Sequence, residues 1–197
     1  MTQLYIRPRF RFYGKEIVDM SAAIVILIIS MSILMAHSTN FLNLIPLSAL
    51  AVITGFFMHE LAHKYMAFRY GFPAAFRAWY MGLFIALASA FVGFLFAAPG
   101  AVMVYGMPSK RERGIISAAG PSTNIVLGTA LLATLPFVSY DFGIKLWYVA
   151  YFNFFLAFFN LLPIPTMDGL KILSWNMKIY LLLMICSIFG IVITYIV

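Results

Sequence analysis

His59, Glu60 and His63 stand in the stretch "GFFMHELAHKYMAF", residues 55–68, of a 197-residue chain that holds only three histidines and six carboxylates. On a helix the two histidines lie one turn apart on one face, close enough for both imidazoles to bind a single zinc ion. Glu60 is displaced by about 100° around the axis, where a carboxylate can hold a water on such an ion and take its proton. The H-E-x-x-H spacing therefore reads as two metal ligands and the base of a hydrolytic site. The competing reading is a polar cluster packed between helices. It is disfavoured because ionisable groups roughly 15 Å of helix inward from Arg69 are costly in an apolar segment and tend to mark function.

A catalytic zinc site takes three protein ligands and leaves the fourth position to water. Elimination narrows the third. His37 and Asp141 fall in expected outer loops, and Glu16, Asp19 and Glu112 flank basic residues at span ends. Asp168 remains, in "NLLPIPTMDG" at 160–169. Pro163 and Pro165 end a helix there, and Gly169 permits the tight backbone that an inward-turned carboxylate requires. Taken alone, Asp-Gly after prolines is an ordinary turn; the missing ligand reverses that reading.

The elements that position these residues follow from composition. With 64% hydrophobic residues and a mean hydropathy of +0.99, the solvent for most of the chain is lipid. The net charge of +7 does not point to nucleic acid, because the basic residues fall in short clusters between apolar runs and read as cytoplasmic anchors. The expected fold is an all-α polytopic membrane protein of five or six transmembrane helices with a re-entrant or β-hairpin segment. The whole of 1–197 reads as one integral-membrane domain with spans near 19–36, 44–68, 114–138, 146–164 and 177–197. The first run lacks a small-residue cleavage site and reads as a retained span. Multi-pass insertion in the cell membrane is expected, with the N-terminus and the opening of the site cytoplasmic. "IRPRFRF" at 6–12 alternates basic and aromatic residues, as an interfacial strand on acidic lipid or a basic tail would.

Segment 79–105 admits two paths. As an additional span it would send Lys110, Arg111 and Arg113 outside, against the charge rule. As a re-entrant hairpin turning at "APG" it keeps the basic clusters on one side and lets the two polar motifs approach each other, with its non-helical backbone covered by protein. The second path is preferred.

Three motifs in order, "HELAH" at 59–63, "GPSTN" at 120–124 and "NLLPIPTMDG" at 160–169, resemble the site-2 protease family of intramembrane zinc metalloproteases. The resemblance implies one zinc per chain held by His59, His63 and Asp168, with Glu60 as general base and a transmembrane helix of another protein as substrate. It implies that Asn124 stabilises the oxyanion or pins the substrate backbone. Asn160 is implied to contact substrate or to support the ligands, alongside Gly120 and Pro121. No segment is long enough for the PDZ or CBS module that many members carry, so a minimal core is expected. The residues have readings of their own. Gly120 and Pro121 would open a span, and Asn124 suits either an oxyanion donor or a helix-to-helix hydrogen bond. Asn153 and Asn176 show that an isolated asparagine needs no catalytic role.

Two other classes stay in view. A membrane zincin that trims prenylated proteins would need a glutamate as third ligand, and none is suitably placed. A zinc-binding or transport protein would spread polar residues along a path, whereas here they converge on one point. Cleavage within the bilayer further requires a locally unwound substrate, which added strands at 6–12 or 95–105 could pair with. Water is expected to enter through the Lys64–Arg77 region.

Overall fold

The computed structural model describes residues 10–36 and 40–196. In chain order these form α1 (Gly14–Met35), α2 (Ile45–Val52), a π-helical turn (Ile53–Phe57), α3 (Met58–Arg69) and β1 (Ala74–Ala78). There follow α4 (Tyr80–Phe91), β2 (Gly100–Val104), α5 (Lys110–Thr134), α6 (Tyr140–Asn160), α7 (Asp168–Trp175) and α8 (Met177–Ile196). The protein is an all-α polytopic membrane protein with one small sheet. Among the described residues five helical stretches are long and apolar enough to cross a membrane: Gly14–Met35, Phe41–Arg69, Lys110–Phe137, Tyr140–Asn160 and Met177–Ile196. His37 and most of 6–12 lie outside the described residues, and Phe10 to Phe12 belong to no strand.

Local chemistry moves the helix starts ahead of the expected spans. Tyr13 N–H donates to Glu16 Oε2 at 3.1 Å, so α1 begins at Gly14. Ser109 and Glu112 form a capping box, with Ser109 N–H to Glu112 Oε2 at 2.7 Å and Glu112 N–H to Ser109 Oγ at 3.3 Å. That box starts α5 at Lys110, which corrects the expectation that Gly120 and Pro121 open a span. Pro121 instead lies buried inside α5. Its ring has no N–H to offer the carbonyl of Ser117 one turn earlier.

Segment 79–105 returns to where it began. β1 and β2 pair antiparallel with Ala74 opposite Val104 and Ala78 opposite Gly100, so Ala78 and Gly100, between which α4 makes its excursion, lie one strand spacing apart, about 4.8 Å. At 12 residues α4 is about 18 Å long, short of the roughly 30 Å hydrocarbon thickness. Leu27 of α1, Phe56 of the π turn, Phe76 of β1 and Leu83 of α4 share one buried core, which fixes the hairpin against the bundle. On the other side, Trp147 Nε1 of α6 donates to Thr194 O of α8 at 2.5 Å.

The two carboxylates at the start of α1, Glu16 and Asp19, are interior groups. Glu16 is fully buried; it accepts two hydrogen bonds at 2.5 Å from Lys64 Nζ and one at 3.0 Å from Phe76 N–H. Lys64 is only 1% exposed, with its ammonium 4.1 Å from the ring centre of Phe12. Asp19 accepts from Tyr80 Oη at 2.7 Å and lies 3.7 Å from Arg77 Nη1. Lys64 therefore corrects two expectations at once, being neither a surface anchor nor a wall of a water path. A cation this deep persists because a carboxylate and aromatic faces replace its hydration.

Candidate metal centre and active site

The turn that carries the histidines is prepared by the backbone before it. The π turn Ile53–Phe57 runs directly into α3, and extra-residue turns of this kind shift the helical register at functional positions. His59 and His63 then face inward on successive turns, with their Nε2 atoms 2.9 Å apart. Asp168, the first residue of α7, brings Oδ2 to 3.0 Å from His63 Nε2 and 3.4 Å from His59 Nε2. All three residues are buried, and one donor atom from each lies within 4.8 Å of the others.

Two glycines make this convergence possible. A Cβ on Gly120 of α5 would lie 2.5 Å from His59 Nε2 and closer still to His63 Nε2. The bare backbone of α5 is thus the floor of the ligand cluster. A Cβ on Gly169 would fall 2.6 Å from Leu162 O and nearer to Leu161 O, so α7 can nest its first turn on the end of α6 only at glycine. The tight backbone expected at Gly169 is a close approach to the end of α6, without the positive φ found at Gly71, Gly93, Gly100 and Gly106.

The imidazoles are oriented from behind. His63 Nδ1 faces Ile116 O at 2.8 Å and His59 Nδ1 faces Asn124 Oδ1 at 2.5 Å. Both partners only accept, so both Nδ1 atoms carry the proton and both Nε2 atoms present lone pairs. Two lone pairs and a carboxylate then meet with no hydrogen between them, a donor set that fits a divalent cation such as zinc.

Glu60 accepts a hydrogen bond from Val102 N–H of β2 at 2.9 Å. It shares a cavity of about 1200 Å³ with His59, His63 and Asp168, walled by the whole of β2 and by aromatic residues of α6 such as Phe155 and Phe159. Asn160 lines the same cavity and donates from Nδ2 to Leu156 O at 2.9 Å. Asn124 does not line it. That side chain is fully buried behind His59, with Nδ2 donating to Gly55 O at 2.8 Å and to Asn153 Oδ1 at 3.1 Å.

Sequence reasoning passed over Val102 and gave Asn153 no role. A backbone N–H carries no signature in a side-chain pattern. Asn153 carries a weak one, as a polar residue within an otherwise apolar span. Arg77 lines the cavity and Lys64 does not.

Fold and site together define a polytopic membrane protein with a buried His-His-Asp cluster that fits a metal ion and a carboxylate beside it. Comparison with known proteins gives that class its place. The chain is 36% identical over 173 residues to "Putative zinc metalloprotease MJ0611" of Methanocaldococcus jannaschii, covering 85% of this chain and 87% of that protein. It is 30% identical over 153 residues to "Putative zinc metalloprotease YwhC" of Bacillus subtilis, covering 68% of this chain and 70% of that protein. The chain belongs to the zinc metalloprotease family that these relatives represent. No family model and no solved structure matches it.

Proposed function

We propose that this protein is an intramembrane zinc metalloprotease of the site-2 type, a single-domain enzyme that hydrolyses peptide bonds within or near transmembrane helices of other membrane proteins. The observation that carries the reading is the placement of Glu60. It borders the same apolar-walled cavity as the three ligand residues, on a helix long and apolar enough to cross a membrane. His59, His63 and Asp168 would hold one zinc ion. When bound, zinc supplies Lewis acidity to the scissile carbonyl and acidity to the attacking water.

The chain's own residues do the rest. Glu60 Oε1, the oxygen not committed to Val102, takes a proton from the attacking water and returns it to the leaving amide nitrogen as the C–N bond breaks. β2 lines the cavity along its length, and an unwound substrate segment can add to it as a further strand, which fixes the carbonyl in extended form. The α6 aromatics give the flanking apolar residues a surface to pack on. Asn124 acts through His59 rather than on the substrate, because its amide is enclosed behind the ligand. Asn160 faces the cavity and is the asparagine placed to touch the substrate backbone. A cytoplasmic opening in the cell membrane follows from the charge distribution of the chain.

The test is incubation of detergent-purified protein with a panel of single-span substrates, with and without a zinc chelator. Chelator-sensitive cleavage is expected. A preparation that contains no zinc and cuts no substrate would sink the reading.

A further inference from the structure

Asn153 lies in the middle of α6, fully buried, and does not line the cavity. Both of its amide protons are committed, one to Val149 O at 2.9 Å and the other to Thr54 Oγ1 at 3.0 Å. Thr54 can accept because its own hydroxyl proton goes to Leu50 O at 2.8 Å. The carbonyl oxygen of Asn153 is thereby turned toward Asn124, whose Nδ2 donates to it at 3.1 Å and to Gly55 O at 2.8 Å. Val149 O and Gly55 O only accept, so neither amide can turn over without setting oxygen against oxygen. With both its N–H groups spent, Asn124 presents Oδ1 to His59 Nδ1 at 2.5 Å. The Nδ1 of His59 therefore carries the proton, and the lone pair falls on Nε2, on the side of His63 and Asp168.

We infer that Asn153 is a positioning residue for the metal centre: it locks the Asn124 amide in the one orientation that keeps the His59 lone pair on Nε2. The inference rests on the reading of His59, His63 and Asp168 as zinc ligands. Its physical basis is that groups behind a ligating imidazole set its tautomer, orientation and basicity. In a buried network no water stands ready to replace a lost partner, so without Asn153 only Gly55 O opposes a turn of the Asn124 amide that would offer N–H groups to His59 instead of oxygen. The series joins three parts of the fold, from α6 through the π turn to α5, and ends on a ligand of α3.

Zinc affinity, by competition with a chromogenic chelator, and the ligand-field spectrum of the Co2+-loaded protein are measured on the full-length chain in detergent. The proteins compared are wild type, Asn153→Leu, Asn124→Leu, the double variant, and Thr54→Val with and without Asn124→Leu. Asn153→Leu is expected to weaken zinc binding by about tenfold and to shift the Co2+ spectrum. In the Asn124→Leu background it should add nothing, because its effect passes through Asn124. Thr54→Val, close to isosteric, should weaken zinc in the same direction by a smaller factor, again only when Asn124 is present; it decides the matter if Asn153→Leu does not fold. Unchanged affinity and spectrum, or equal losses in both backgrounds, would reduce Asn153 to a clamp between helices and overturn the inference. A wild-type protein that binds no zinc would overturn the metal reading itself and the inference with it.

Discussion

Val102 donates its backbone N–H to Glu60 Oε2 at 2.9 Å, so the strand at the cavity wall and the carboxylate beside the His59–His63–Asp168 cluster are one unit. The other strand is engaged in the same way, Phe76 N–H donating to Glu16 Oε1 at 3.0 Å. Phe76 and Val102 face each other in the β1–β2 register. Two helix carboxylates thus take up N–H groups that point away from the ladder. The hairpin is tied to α3 on one side and to α1 on the other, and whatever displaces β2 also displaces Glu60.

Glu60→Gln separates chemistry from metal binding. Cleavage should fall by about 10²–10⁴-fold, while zinc content by metal analysis stays near that of wild type, since Glu60 is not among the ligands. Equal loss of zinc and activity would mean that Glu60 holds the site together instead of acting in it.

Val102→Pro removes the donor and leaves the side-chain surface apolar. With the carboxylate free to shift by about 1 Å, cleavage should drop on the order of 10²-fold, again with zinc retained. Full activity in this variant would show that the base needs no strand to aim it.

Gly120→Ala places a methyl group against the Nε2 atoms of His59 and His63. Zinc affinity should fall by more than about 100-fold, read by chelator competition, with helical circular dichroism unchanged. Tight zinc binding in this variant would exclude His59 and His63 as joint ligands.

Lys64→Met leaves Glu16 buried and unpaired, a change that costs about 3–5 kcal/mol in other proteins. A large drop in the thermal midpoint in detergent is expected, and most of it should return in the Glu16→Gln, Lys64→Met double variant. If the single and double variants unfold at the same temperature, the pair contributes through packing alone.

The path of 79–105 can be read by labelling. With Cys186, the single cysteine, replaced by serine, cysteines introduced at Trp79 and Tyr105 should react with an impermeant thiol reagent from the same side of the membrane. Labelling from opposite sides would restore the segment as an additional span.

Much of this protein is legible without its fold. Apolar runs of about 20 residues reveal the spans, because lipid imposes one composition on whatever crosses it. His59, Glu60 and His63 are legible because their relation is local to a single helix turn. Asp168 is reached by elimination, since so few carboxylates exist to choose from. Helix starts were misplaced where one capping residue outweighed hydropathy, as at Ser109. Lys64 was misplaced because a cation's partner can lie 48 residues away. Only the tertiary structure decides that Asp168 meets the histidines, that Gly120 leaves room for them, that Glu60 is aimed by Val102 and that Asn153 stands behind Asn124. The physical reason is common to all four. Each depends on a contact between distant segments, fixed by helix packing and by the pairing of β1 with β2, and a linear pattern records residue types but not which of them face one another.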